Sequence, residues 1–237
     1  MSAPTATAEG FFEAASPFGT LTGWEPQDGG GDTTTKDRAS ALSADGDEFR
    51  HSDHNEQKSV SATYVPDGTV TTNLAVPAAG SVLNGWVIDT VYVAYGQEFP
   101  VLTVTGHKRT NVVSGALANM RTYSPSIDLP YVVLGVPDQI GPIKCEGARS
   151  ATYELGCTHV PEVGGQDYLV GADNHDGVET LNVESVCALT IDTNFADRAE
   201  WTDTSKAKNK SNSAATVNQI TLVRHLAHDV ASAGTGS

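Results

Sequence analysis

Trp86-Val87-Ile88-Asp89-Thr90-Val91-Tyr92-Val93-Ala94-Tyr95 is the longest apolar run in the chain, and the architecture follows from it. β-Branched and aromatic side chains fill it, and these fit a pleated backbone. Apolar residues stand at odd and even positions alike, the pattern of a strand buried on both faces. Gly96-Gln97-Glu98-Phe99-Pro100 then turns the chain. Residues 101–105 return as a partner strand that runs into the basic triplet His107-Lys108-Arg109.

Upstream, Val60, Ala62 and Tyr64 alternate with Ser61, Thr63 and Val65, a period of two that predicts a strand with unlike faces. Pro66-Asp67-Gly68 supplies a turn, residues 69–72 a short return strand and residues 77–80 a loop. Residues 18–24 read as an opening strand, 28–32 as a Gly-rich loop and Asp45-Gly46-Asp47 as a turn.

Downstream, residues 111–123 have the best helix composition of the chain, with Ser114 as a cap and an end before Pro125. Residues 131–134 read as a short buried strand between prolines, and 152–155 alternate. Gly164-Gly165 and Asp176-Gly177 mark turns. Leu181, Val183, Cys187, Leu189 and Ile191 fall on one face of a predicted long strand. A polar loop over 202–214 and a last strand over 217–223 follow. The expected organisation is an N-terminal arm (1–17), a β domain (18–110), a linker with the helix (111–143), a second β region (144–230) and a short tail (231–237). The second region is read as a repeat of the first or as an insertion, with residues 101–109 matched to 220–225.

Composition supports a mainly β chain: hydrophobic residues make up 39% and charged ones only 18%, and Thr, Ser, Asn and Gly dominate the polar remainder. The net charge of −15 argues against gripping nucleic acid by phosphate neutralisation, does not exclude a surface that nucleic acid slides past, and equally serves to keep a protein in solution. Three cysteines, Cys145, Cys157 and Cys187, do not make a disulfide framework and are expected as reduced thiols. Met1-Ser2-Ala3-Pro4-Thr5 has neither the basic start nor the apolar run of a secretory leader, and no apolar run reaches membrane-spanning length. A soluble protein made in a cytoplasm is the expectation.

Signals for chemistry are sparse. His51-Ser52-Asp53-His54 has the spacing of a metal pair on a helix, but no second ligand cluster follows, so it reads as a solvated loop. Asp173-Asn174-His175-Asp176-Gly177 lacks the alternation and terminal Glu of a calcium loop and reads as a turn. Cys157 and His159 would share a strand face, without an orienting third residue or an oxyanion site. Nucleophile elbow, P-loop and dinucleotide fingerprints are all missing from the sequence. No catalytic residue, metal or cofactor is expected, and the chain does not read as an enzyme. Lys206, Lys208 and Lys210 alternate, guarding a sheet edge or forming a small basic patch in a loop.

Residues 18–109 resemble a tail tube protein (major tail protein) of a long-tailed bacteriophage. The matching features are Phe18-Gly19-Thr20-Leu21-Thr22-Gly23-Trp24, the turn Ala44-Asp45-Gly46-Asp47 before Glu48-Phe49-Arg50, the strand Lys58 to Val65, the long strand 86–95, and Phe99-Pro100-Val101-Leu102-Thr103-Val104-Thr105-Gly106-His107-Lys108. The resemblance is one of pattern. It implies a β-sandwich or small β-barrel with a flanking helix, and stacked rings of copies, hexameric or trimeric if duplicated, around a channel that DNA crosses transiently. It also implies a place in the virion beside other tail proteins, with no membrane partner. Phe11 and Phe12 on the arm, and Trp86, Ile88, Tyr92 and Tyr95 on the long strand, are the expected contacts between subunits. Two other readings remain open: a capsid decoration or neck protein, and a carbohydrate-binding β-sandwich or adhesin using Trp24, Trp86 and Trp201.

Overall fold

A computed structural model describes residues 16–28, 32–42, 48–164, 168–211 and 214–227. Phe11, Phe12, the Asp45-Gly46-Asp47 turn and the tail from residue 231 lie outside the described residues. Thirteen strands follow in chain order: β1 (Trp24–Asp28), β2 (Thr33–Leu42), β3 (Glu48–Pro66), β4 (Val82–Leu83), β5 (Trp86–Tyr95), β6 (Val101–Arg109), β7 (Gln139–Ile140), β8 (Ile143–Lys144), β9 (Ala148–Val163), β10 (Leu169–Ser185), β11 (Thr190–Ile191), β12 (Thr202–Ser211) and β13 (Ala214–His225). The mainly β class is as expected.

The predicted flanking helix is not formed: residues 111–123 make turns, with Gly115 at φ +83°, outside helical geometry. Residues 18–23 form no strand, and the first described strand begins only at Trp24. Residues 69–72 and 131–134 are not strands, and Val133 and Leu134 are exposed rather than buried. The predicted long strand through Ile191 stops at Ser185, and Thr190–Ile191 belongs to a separate small sheet. The polar stretch expected as a loop is the edge strand β12.

Ten strands form one antiparallel sheet with the order β1-β3-β6-β5-β9-β10-β13-β12; β2 also pairs β3, and β4 pairs β5. The two β regions are therefore halves of a single sheet, joined where β5 pairs β9 from Thr90–Gly156 to Tyr95–Ala151. Each half consists of two hairpins, β2–β3 with β5–β6 and β9–β10 with β12–β13. In each half the hairpins join through their second strands, β3 to β6 and β10 to β13. The outer hairpin comes first in the N-terminal half and last in the C-terminal half. The order thus reads the same outward from the β5–β9 contact in both directions. By position β6 corresponds to β10, and residues 220–225 of β13 correspond to β3.

Register explains the core. Tyr64, Leu102, Val93, Tyr153, Leu181 and Leu222 are cross-strand neighbours in one row, and all six have no exposed surface. Burying each such side chain contributes about 1.5–3 kcal/mol. Connections between the strands cover this face with Leu74, Ala79, Tyr123, Ile127, Leu129 and Trp201. The small sheet β11-β8-β7 adds Ile140 and Ile143. The connections satisfy one another's backbones: Leu74 N–H donates to Leu129 O (2.7 Å), and Ala79 and Tyr123 exchange a pair of bonds at 3.0 and 2.9 Å.

Candidate assembly surface

The opposite face presents described side chains that are half-buried or exposed, unlike the fully buried core row. Its central row is Asp28, Thr63, Thr103, Tyr92, Glu154, Thr180, Val223 and Thr202, one residue from each of eight adjacent strands. On one side of it run Ser61, Thr105, Thr90, Gly156, Val178 and His225. On the other run Ala94, Thr152, Asn182, Thr221 and Ser205, then Ser150, Glu184, Gln219 and Ala207. Short polar side chains bind one another across strands: Thr90 to Thr105, and Gln219 Nε2 and Thr221 Oγ1 to Asn182 Oδ1 at 3.0 and 3.3 Å. Glu154 and Glu184 stand in these rows, and no Lys or Arg does. Across these rows the face is rich in hydroxyls and carries carboxylates.

Both lateral margins of the sheet are strand edges. On one side lies β12, where Lys206 is exposed and held by Asp203 Oδ2 at 2.6 Å. On the other lie β1 and β2. An unpaired edge presents backbone donors and acceptors to another strand. The alternating lysines fall on β12, an edge strand, rather than in a loop.

Of the expected contact residues, Tyr92 stands at the centre of the open face. Ile88 and Tyr95 lie in the core at 0% and 2% exposure, and the Tyr95 hydroxyl donates to Pro130 O (3.0 Å). Trp86 is half-buried, edge-on to Phe18 with ring centroids 6.3 Å apart. β5 itself is a central strand paired on both sides by β6 and β9, so its backbone offers no edge. An alternation of Thr and Ser with apolar residues across β3 and β6 is the signal for the open face in the sequence.

Exposed apolar side chains gather at the two ends of the strands. Val160, Val163, Tyr168 and Val170 lie on the far part of the β9–β10 hairpin, with Val112 and Val113 beside it through the Val112–Leu169 bridge. Phe99, Val133 and Leu134 lie at the β5–β6 turn, where Gly96 bridges Gly135. Antiparallel pairing of β5 with β9 sets these groups at opposite ends.

The residues weighed for chemistry have structural work. β3 runs through His51 and His54, and a spacing of three on a strand places two positions on opposite faces. Asp173 to Gly177 is not a turn but an irregularity inside β10, with Asp176 at φ 53°. A Cβ on Gly177 would come within 2.1 Å of the Tyr123 ring, so the close approach of that connection depends on this glycine. Burial, reinforced by the Asp89 charge, pushes the Cys157 thiol up to about 12, and burial pushes Cys145 to about 11. Both stay protonated at neutral pH, unlike an activated nucleophile. All three cysteines are free thiols. No group of metal-ligating side chains converges among the described residues.

Trp24 and Trp201 are 3% and 2% exposed, which removes them as platforms for a sugar ring. Among the described residues no helix is long and apolar enough to cross a membrane. No protein-family model and no curated protein matches the chain.

Proposed function

We propose that this chain is a virion structural subunit that joins copies of itself into stacked rings, forming the tail tube of a long-tailed phage through which DNA passes. One observation carries the reading: the sheet has one face sealed by the chain's own connections, and an open face that is rich in hydroxyls, carries carboxylates and is bounded by two strand edges. Pairing β12 of one copy with β1 and β2 of the next removes both edges and makes the open faces a continuous lining. Hydroxyls and carboxylates without cationic partners leave phosphates unbound, so DNA passes without sticking.

Width favours the trimeric ring. Eight strands at a spacing of about 4.8 Å span roughly 38 Å. Three such widths close on a circle about 37 Å across, and six on one about 73 Å across. The smaller bore is the one that a DNA double helix fills. No catalysis or cofactor enters this role. The chain's partners are other copies, neighbouring tail proteins and DNA in transit, with assembly in the host cytoplasm.

Native mass spectrometry with negative-stain microscopy of the purified full chain tests the reading. Rings with a central hole, or stacks of them, are expected as the concentration rises. A monodisperse single-copy particle at every concentration overturns it, and isolated trimers that cap a capsid but never stack favour a decoration protein.

A further inference from the structure

Beyond Thr90–Gly156, β9 leaves β5 and continues paired with β10 alone. At this departure His107 of β6 and His159 of β9 meet, with ring centroids 4.3 Å apart and planes tilted by 54°. His107 is 4% exposed, and its Nδ1 lies 2.6 Å from Asp89 Oδ1. His159 Nδ1 lies 2.9 Å from Oδ1 of the fully buried Asn174. Asn174 Nδ2 faces two carbonyl oxygens, Arg121 O at 2.6 Å and Gly80 O at 3.2 Å, so its Oδ1 is the acceptor. His159 therefore carries its proton on Nδ1, and the lone pair of its Nε2 is buried without a partner.

We propose that the His107–His159 stack is a proton-operated latch that fastens the far part of the β9–β10 hairpin, beyond Gly156, and residues 111–123 to the sheet, and that acid opens it. A proton on Nε2 creates a buried N–H with no acceptor and a second cation near Arg109. The ring is relieved by turning outward, which gives up its bond to Asn174. Asn174 is the shared fastening: through it β10 holds Gly80 and Arg121, and Tyr123 donates to its carbonyl at 3.3 Å. The charged and titratable groups around His159 are Asp89 on β5, His107 and Arg109 on β6, Cys157 on β9, and the Arg121–Asp173 pair (2.6 Å) joining the connection to β10. Burial first, then the His107 and Arg109 charges, hold His159 below its ordinary value, against its Asn174 bond and the Asp89 charge. The latch belongs to the single chain and stands whether or not copies assemble.

Hydrogen exchange on the full chain at about pH 7 and about pH 5, corrected for intrinsic rates, tests it. Amides of residues 111–123, 157–163 and 169–176 are expected to open at least about tenfold more at the lower pH, relative to β5 and β6. His159→Gln keeps a donor for Asn174 and cannot titrate, so its response is expected to be flat. An acid response equal in the variant, or none in the native chain, overturns the latch. If the variant does not fold, imidazole nitrogen shifts of the native chain decide: an Nε2–H tautomer for His159, or a midpoint at or above 6.5, overturns it.

Discussion

Glu179 has no exposed surface, and its carboxylate is fully engaged. Ser126 N–H donates to Oε1 at 2.7 Å, the Ser126 hydroxyl to Oε2, and the Tyr153 hydroxyl to Oε1 at 2.7 Å. Burial, then the Glu179 charge, raises the Tyr153 phenol, which stays a donor across the physiological range. A buried acceptor with three donors is costly to remove, because each donor is left without a partner. Glu179→Ala is expected to lower stability by about 3–5 kcal/mol and Glu179→Gln by about 1–3 kcal/mol, read from denaturant midpoints at constant slope. His159 adds a pH term of definite sign. Its folded value is depressed, so its contribution is complete above the ordinary value of 6.5 and is lost as pH falls through that value toward the folded one. Melting temperature is therefore expected to decline on acidification from about pH 7, and His159→Gln to flatten that decline. Neither role was legible in the sequence. Glu179 sits among alternating apolar and polar residues, and only the register that brings Ser126 and Tyr153 onto it shows why a carboxylate is tolerated there.

Strands announced themselves where both faces have a fixed environment. β5 was readable as a strand from its β-branched and aromatic composition and the turn that follows it, although the burial expected on both its faces is complete on one only, and Val60, Ala62 and Tyr64 because the alternation has one partner face. The failures share a cause. Residues 111–123 have helical composition, but their backbone is held instead by Leu169, with Val113 N–H donating to Leu169 O at 2.9 Å. β12 reads as a loop because a polar edge strand has no buried face to imprint a period on it. The polar face of β3 and β6 was readable from their alternation of Thr and Ser with apolar residues, but which connections seal the other face was not, since that depends on where distant segments come to rest. At this scale the exposed ends are testable. Phe99→Asp and Val170→Asp replace side chains that are each 50% exposed, so melting is expected to stay within about 0.5 kcal/mol of the native chain. Each is expected to abolish stacking of rings while leaving the rings intact, as counted by microscopy. Normal stacks from both variants would remove these ends as contacts.

At the scale of the whole molecule, the sheet spans both halves of the chain. Ser16 is hydrogen-bonded to the Tyr64 hydroxyl, and Phe18 closes the core over Gly106. A chain starting at Ser16 is expected to melt as the native one does and to form rings that do not stack. Stacks of ordinary length from it would count against a role for Phe11 and Phe12. The mirrored strand order has a last consequence for any tube built this way. A half-turn about an axis through the β5–β9 contact exchanges the two halves while reversing every strand, so upper and lower rims of a ring present like sets of hairpins. The strand order therefore gives such a conduit no polarity, and one extremity must be told from the other by what the halves do not share: β1, the small sheet, and the unequal lengths of the β5–β6 and β9–β10 hairpins.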